Sequence, residues 1–151
     1  MPKIYITRQI PEIGINMLKD KGYEVDISQK DRVLSKKELI KYLKIKPYDA
    51  VLCLLTDKID GDVFDAAPNA KIFANYAAGF DNIDMETAKK RNIMVTNTPG
   101  VLSEAVAEHS VALMLAVARR IAESDKFVRK GLYKGWAPML LLGSGFFGKT
   151  V

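Results

Sequence analysis

Four groups of residues have types and spacings that could do chemistry. The C-terminal stretch GSGFFGKTV satisfies two phosphate-binding patterns at once. Gly143, Gly145 and Gly148 give the G-x-G-x-x-G of a dinucleotide loop, and Gly143, Gly148, Lys149 and Thr150 give the G-x-x-x-x-G-K-[ST] of a nucleoside-triphosphate loop. The second group is NYAAGFDNID, residues 75–84, where Ala77, Ala78 and Gly79 follow an apolar run. Side chains this small let a ligand approach the backbone, and consecutive N–H groups in such a turn form an anion-binding nest. A carboxylate suits it, because charge-assisted hydrogen bonds are roughly twice as strong as neutral ones. The competing reading is a plain tight turn, with Gly79 supplying a positive φ. The third and fourth are His109 and Cys53, each the sole residue of its type. Cys53 cannot form an internal disulfide or a cysteine-based zinc site, and its apolar surroundings predict a buried, inert thiol.

The elements that must position these groups follow from periodicity. KIYITR (3–8) reads as a strand, and Pro11 with the stripe Ile13, Met17 and Leu18 as a helix ending at Gly22. YEVDIS (23–28) alternates, as a half-exposed strand near an edge does. Ser35-Lys36-Lys37-Glu38 is a capping box opening a helix with a lysine face. DAVLCLL (49–55) is an unbroken apolar run, expected of a central parallel strand covered on both faces. Phe64 to Pro68 predicts a short helical turn and KIFANY (71–76) the fourth strand. Asp84 is placed to cap a helix through Arg91, and IMVTN (93–97) gives the fifth strand. Strands alternating with helices imply an α/β fold with a parallel, doubly wound sheet. Ligands of such sheets bind beyond the carboxyl ends of the strands. That rule selects Thr7-Arg8, Leu54 to Asp57, Ala77 to Asp81 and Asn97 to Gly100. From Ser103 to about Lys130 a single long helix is expected, and Val111 to Ala118 is wholly apolar. A helix apolar all round needs cover on every side, so a second domain or a second copy of the chain is expected, with a boundary near Pro99-Gly100.

Composition narrows the function classes. The 151 residues are 48% hydrophobic and 27% charged, with a formal charge of +5. The densest basic stretch, Lys36, Lys37, Lys41, Lys44 and Lys46, is interleaved with Leu39, Ile40, Leu43 and Ile45 at helical spacing, which reads as a solvated helix face. No aromatic platform accompanies it, so nucleic acid is not expected as a partner. MPKIYITRQ enters a strand directly and carries no signal-peptide pattern, and no apolar run approaches the ~18 residues of a membrane span. No membrane association and a cytoplasmic location are the resulting expectations.

NYAAGFDNID, followed by RNIMVTNTPGVLSEAVAEHSVALMLAVARRI, resembles the D-isomer-specific 2-hydroxyacid dehydrogenases, with the glyoxylate or hydroxypyruvate reductase branch nearest. ITRQIPEIGINMLKDKGYEV and DKFVRKGLYKGW fit the same branch. The resemblance implies a flavodoxin-like five-stranded substrate domain (1–99), followed by the start of a Rossmann nucleotide-binding domain (100–151) with its long leading helix. It implies NAD or NADP as cofactor, a small 2-oxo or 2-hydroxy acid as substrate, and a homodimer through the helix 103–130. By resemblance, the N–H groups of Ala78 and Gly79 hold the substrate carboxylate, Leu55 sits over the substrate, and Ala78 and Ser103 face the cofactor. The family's residue at position 78 is commonly a larger valine. Ser103 is equally a candidate helix N-cap. His109, in AEH-(x)-VAL, matches a helix position and not the family's catalytic histidine; a packing role with one satisfied ring nitrogen is expected. Arg119 and Arg120 belong to the same helix, so no catalytic residue is assigned.

The family's arginine, its glutamate-supported histidine and its true glycine-rich loop lie further along its chain than Val151. The 151 residues are therefore expected to be the N-terminal part of such an enzyme, inactive alone. The tail matches the family's connector into the first Rossmann strand, which Thr150 and Val151 would begin. Three other readings stand beside this one. A nucleoside-triphosphate site would need a helix after Thr150. A phosphoacceptor module would need acids clustered at the strand ends to hold Mg²⁺. A non-catalytic carboxylate-binding module would need only the nest.

Overall fold

The computed structural model describes residues 1–150; Val151, and with it part of the strand expected to begin at Thr150, lies outside the described residues. The chain divides into two compact units, Met1–Val101 and Leu102–Val151. The first is a five-stranded, all-parallel sheet in the order β2-β1-β3-β4-β5. Its elements run β1 (Lys3–Ile6), α1 (Glu12–Asp20), β2 (Glu24–Ile27), α2 (Lys36–Leu43), β3 (Ala50–Leu54), α3 (Gly61–Ala66), β4 (Ile72–Tyr76), α4 (Met85–Lys90) and β5 (Met94–Thr96). β2 lies at an edge and β3 at the centre, as their alternating and continuous apolar patterns predict.

The expected caps form. Ser35 Oγ accepts from Glu38 N while Glu38 Oε2 accepts from Ser35 N, closing the capping box of α2. Asp84 accepts from Thr87 N at 3.0 Å and opens α4. At the end of α1, Gly22 N donates to Lys19 O and Tyr23 N to Leu18 O, a paired closure that needs the left-handed φ of +81° at Gly22.

Strand alternation sorts the core into two layers. Tyr5, Val51, Cys53 and Phe73 point to the side where α2, α3 and α4 pack, with Leu39, Leu43, Phe64 and Ala88 against them. Ile4 and Ile6 point the other way, onto Ile15 of α1. Phe64 and Phe73 meet edge to face at 5.0 Å, a favourable arrangement for aromatic quadrupoles.

Several expectations need correction. α1 buries Ile15, with Leu18 half-buried; Ile13 and Met17 stay exposed. The short helix α3 starts at Gly61, before the expected Phe64. β3 is covered on one face only in part. Val51 and Cys53 are buried, while Ala50 and Leu52 are half-buried and border an apolar depression of about 490 Å³ with Ile4, Leu18, Ile72 and Ala74. The lysines of the basic stretch are partly engaged. Lys36 bridges Asp60 and Asp62, and Lys46 bridges Glu24 and Asp26.

The second unit contains α5 (Ser103–Ala118) and α6 (Ile121–Arg129), where the sequence predicts one unbroken helix. Arg120 breaks it with a left-handed φ of +53°. The carbonyl of Ala118 is taken by Ser144 N at 2.8 Å, and Arg120 Nη1 donates to Leu142 O. Gly143 sits so close that a Cβ there would lie 2.5 Å from Ala118 O. The residues after α6 thus fold back onto the joint. No residue of α5 or α6 is fully buried, so the all-round apolar helix remains without its cover. Among the described residues, no helix is long and apolar enough to cross a membrane.

Candidate functional site

The carboxyl ends of β3, β4 and β5 carry three loops, and a polar network inside the first unit shapes them. Asp57, buried in the β3–α3 loop, accepts from Thr7 Oγ1 at 2.5 Å and from Leu54 N at 2.9 Å. Asn82 Nδ2 donates to Leu54 O at 3.1 Å and Asp57 O at 3.0 Å. Its Oδ1 accepts from Asn75 Nδ2 at 2.9 Å. Buried Asn75 also donates to Gly79 O at 2.9 Å. These bonds tie the β3–α3 loop, which carries Leu55, to the β4–α4 loop, which carries Ala78 and Gly79. The backbone bridge between Ile59 and Ile83 fixes the same pair of loops one step further along.

The β5 end completes the arrangement. Asn97 Nδ2 donates to Ala78 O at 2.7 Å, while Thr98 N and Oγ1 donate to Ala77 O at 2.9 and 3.1 Å. Three successive carbonyls, Ala77, Ala78 and Gly79, therefore each hold a donor. Among the described residues, the N–H groups of Ala78, Gly79 and Phe80 have no hydrogen-bond partner. Ala78, Gly79 and Phe80 are all exposed, whereas Ala77 before them is half-buried.

The tight-turn reading of Gly79 fails. Gly79 does not have a positive φ, and a Cβ there would make ordinary contact with Asp81 Oδ2 at 3.5 Å. Neither the backbone nor the packing of this chain requires glycine at the position. What glycine leaves open is access to the amides on either side.

Leu55, 64% exposed, borders a shallow depression of about 430 Å³ together with Asp57, Asp81 and Asn82. A larger depression, about 740 Å³, lies at the opposite, amino ends of the strands. Its one arginine is committed: Arg91 donates to Gly61 O at 2.6 Å and pairs with Asp65 at 2.8 Å. Lys71 also lines this depression; the carboxyl edge differs in presenting a run of three adjacent amides without a partner among the described residues.

Cys53 is fully buried and close to this network, with Sγ 3.6 Å from Asn75 Oδ1. Burial, reinforced by the negative charge of Asp57, pushes its thiol up to about 12. Since the thiolate is the nucleophile, this thiol is inert, as expected.

Ser103 lies in the second unit, exposed. It is the first residue of α5 rather than its cap: Leu102 occupies the cap position and no side-chain cap bond forms. His109 is exposed on α5, and its ring has no hydrogen-bond partner among the described residues, so the expected satisfied nitrogen is absent. In the tail, Gly143 is a packing glycine against Ala118 O and is not available to cradle a phosphate. The described residues therefore do not form a dinucleotide loop.

Fold and site together define an α/β chain with three adjacent unpartnered amides at the carboxyl edge of a flavodoxin-like parallel sheet. The chain belongs to the D-isomer specific 2-hydroxyacid dehydrogenases; the model of that family's catalytic domain matches residues 4–143. It is 52% identical to a glyoxylate reductase of Thermofilum pendens, covering 99% of this chain and 44% of that protein. It is 49% identical to a glyoxylate reductase of Thermococcus litoralis, covering 99% and 46%. The solved structure of a protein from Thermus thermophilus matches with a TM-score of 0.87 at 40% identity, over 94% of this chain and 45% of that one. The chain thus spans a little under half the length of the curated relatives it matches.

The network of Asn75, Asn82, Asn97 and Thr98 was not visible in the sequence as a functional unit. The Asn residues stood inside the most specific stretches, NYAAGFDNID and TNTPG, yet nothing in their spacing shows that three of them converge on one strand end.

Proposed function

We propose that this chain supplies the carboxylate-binding part of an oxidoreductase that interconverts a small 2-oxo acid, such as glyoxylate or hydroxypyruvate, and its 2-hydroxy acid. The observation that carries this reading is the run of three unpartnered amides, Ala78 to Phe80, in a chain of this family. Carboxylate oxygens would accept from these N–H groups, with Leu55 over the small body of the substrate. Anchoring the carboxylate fixes the 2-carbon, and holding a reactant in place can contribute about 7–11 kcal/mol to a rate.

Residues 1–99 are assigned to the substrate domain and 100–151 to the start of the nucleotide-binding domain. NAD or NADP supplies or accepts the hydride in the intact enzyme, with Ala78 and Ser103 the residues of this chain that face it. The exposed apolar side of α5 is read as a homodimer surface, and the cytoplasm as the working location.

The test is a chimera in which this chain replaces the matching N-terminal part of the Thermofilum pendens glyoxylate reductase. Glyoxylate-dependent oxidation of NADH or NADPH is expected, and none from the 151 residues alone. A Gly79→Ala chimera is expected to fold and to lose most of its kcat/KM, chiefly through a raised KM. A folded chimera that turns over no 2-oxo acid would overturn the catalytic reading and leave a carboxylate-binding module in its place.

A further inference from the structure

We infer that Asn97, together with Thr98 and Asn75, positions the substrate-binding amides by holding the carbonyls on their far side; this rests on the reading of Ala78 to Phe80 as a carboxylate nest. A peptide unit is planar and trans, so its C=O and N–H point in opposite directions. Fixing the carbonyl of one residue therefore aims the N–H of the next. Thr98 N and Oγ1 grip Ala77 O, at 2.9 and 3.1 Å, which orients Ala78 N–H. Asn97 Nδ2 grips Ala78 O at 2.7 Å, which orients Gly79 N–H. Asn75 Nδ2 grips Gly79 O at 2.9 Å, which orients Phe80 N–H. Three peptide planes in a row are set this way, each by a donor that never touches the ligand. Donation to a carbonyl also polarises its peptide, so each outward N–H becomes a better donor.

Two consequences follow that the Ala78–Gly79 pair alone does not give. Phe80 N–H is a third donor of the site. And the anion affinity of the loop depends on an amide side chain from the end of β5, 19 residues away in sequence. Asn97 has the shortest of the four bonds and holds the central peptide, so it carries the largest effect.

Oxalate is the probe, titrated calorimetrically into the full chain and its variants, with ¹H–¹⁵N spectra to confirm that the sheet is intact. Asn97→Ala is expected to keep the sheet spectrum and to weaken oxalate about fivefold, the effect of one net hydrogen bond. Thr98→Val, which removes only Oγ1, is expected to weaken it about twofold. In Asn97→Ala the amide signals of Gly79 and its neighbours shift without ligand, while the melting temperature changes little; a merely structural role would move melting and leave affinity alone. If Asn97→Ala does not fold, Asn97→Asp keeps the shape, sets an acceptor against Ala78 O, and carries the same expectation. Unchanged affinity in a folded Asn97 variant overturns the positioning role while the nest stands. Absence of oxalate binding by the unsubstituted chain overturns the nest, and the inference with it.

Discussion

At the scale of residues, the proposed function rests on backbone more than on side chains. Ala78 and Gly79 are proposed to contribute by what they lack. Because Gly79 has neither a positive φ nor a crowded Cβ position, its glycine identity points to ligand approach. The small residues after β4 were legible in the sequence, and so was the inertness of Cys53. The side chains that orient the amides were not, because Asn75, Asn97 and Thr98 meet only once β4 and β5 are paired. Cys53 gives a pH prediction. Its folded pKa is raised above the ordinary 9.0, so the neutral thiol is favoured by folding. That contribution is fully present below about pH 9 and is lost as pH climbs toward 12. Iodoacetamide is therefore expected to leave Cys53 unmodified at about pH 8 in the folded chain and to label it only on unfolding. Labelling of the folded chain at the rate of a free thiol would contradict this.

At the scale of elements, the alternation of strands and helices was readable because parallel strands and capped helices leave strong local marks. The runs at 3–8, 49–55 and 71–76, and the caps at Ser35 and Asp84, all act within a few residues of themselves. The largest failure has a cause outside its element. The helix starting at Ser103 shows no Gly or Pro that would stop it, yet it breaks at Arg120, where the returning segment takes the Ala118 carbonyl. A left-handed conformation is uncommon for a non-glycine residue, so the fold-back must hold it. Gly143 is what permits the close approach. Gly143→Ala would place a Cβ 2.5 Å from Ala118 O and 2.9 Å from Arg119 Cα, both backbone atoms that cannot turn aside. Amide exchange is expected to accelerate around residues 118–121 and 142–144 in this variant, with the sheet of the first unit unaffected. Unchanged protection at Ser144 would show that the joint does not depend on this glycine. The same glycine, which in the sequence completes two nucleotide-binding patterns, is thus engaged in packing.

At the scale of the whole molecule, apolar surface outruns apolar cover. Parallel sheets are normally covered on both faces, yet Ala50 and Leu52 of the central strand are only half-buried. In α5, Val106, Val111, Leu113 and Val117 are 48–79% exposed. Contiguous exposed apolar surface marks interaction sites. The proposed dimer through this helix predicts sedimentation at twice the 16.8 kDa chain mass. Val117→Lys, at a residue 79% exposed within the chain, is expected to shift the population toward the monomer without changing helix content. A monomeric chain at high micromolar concentration would contradict the dimer and leave the carboxylate site untouched.

The most direct test of the central claim, that the backbone at 78–80 is an anion site, is a ¹H–¹⁵N titration of the chain with oxalate. Saturable shifts of a single affinity, largest at the amides of Ala78, Gly79 and Phe80, are the expected result. Shifts confined to the opposite end of the sheet, around Lys71 and Arg91, or no saturable shift at residues 78–80, would contradict it.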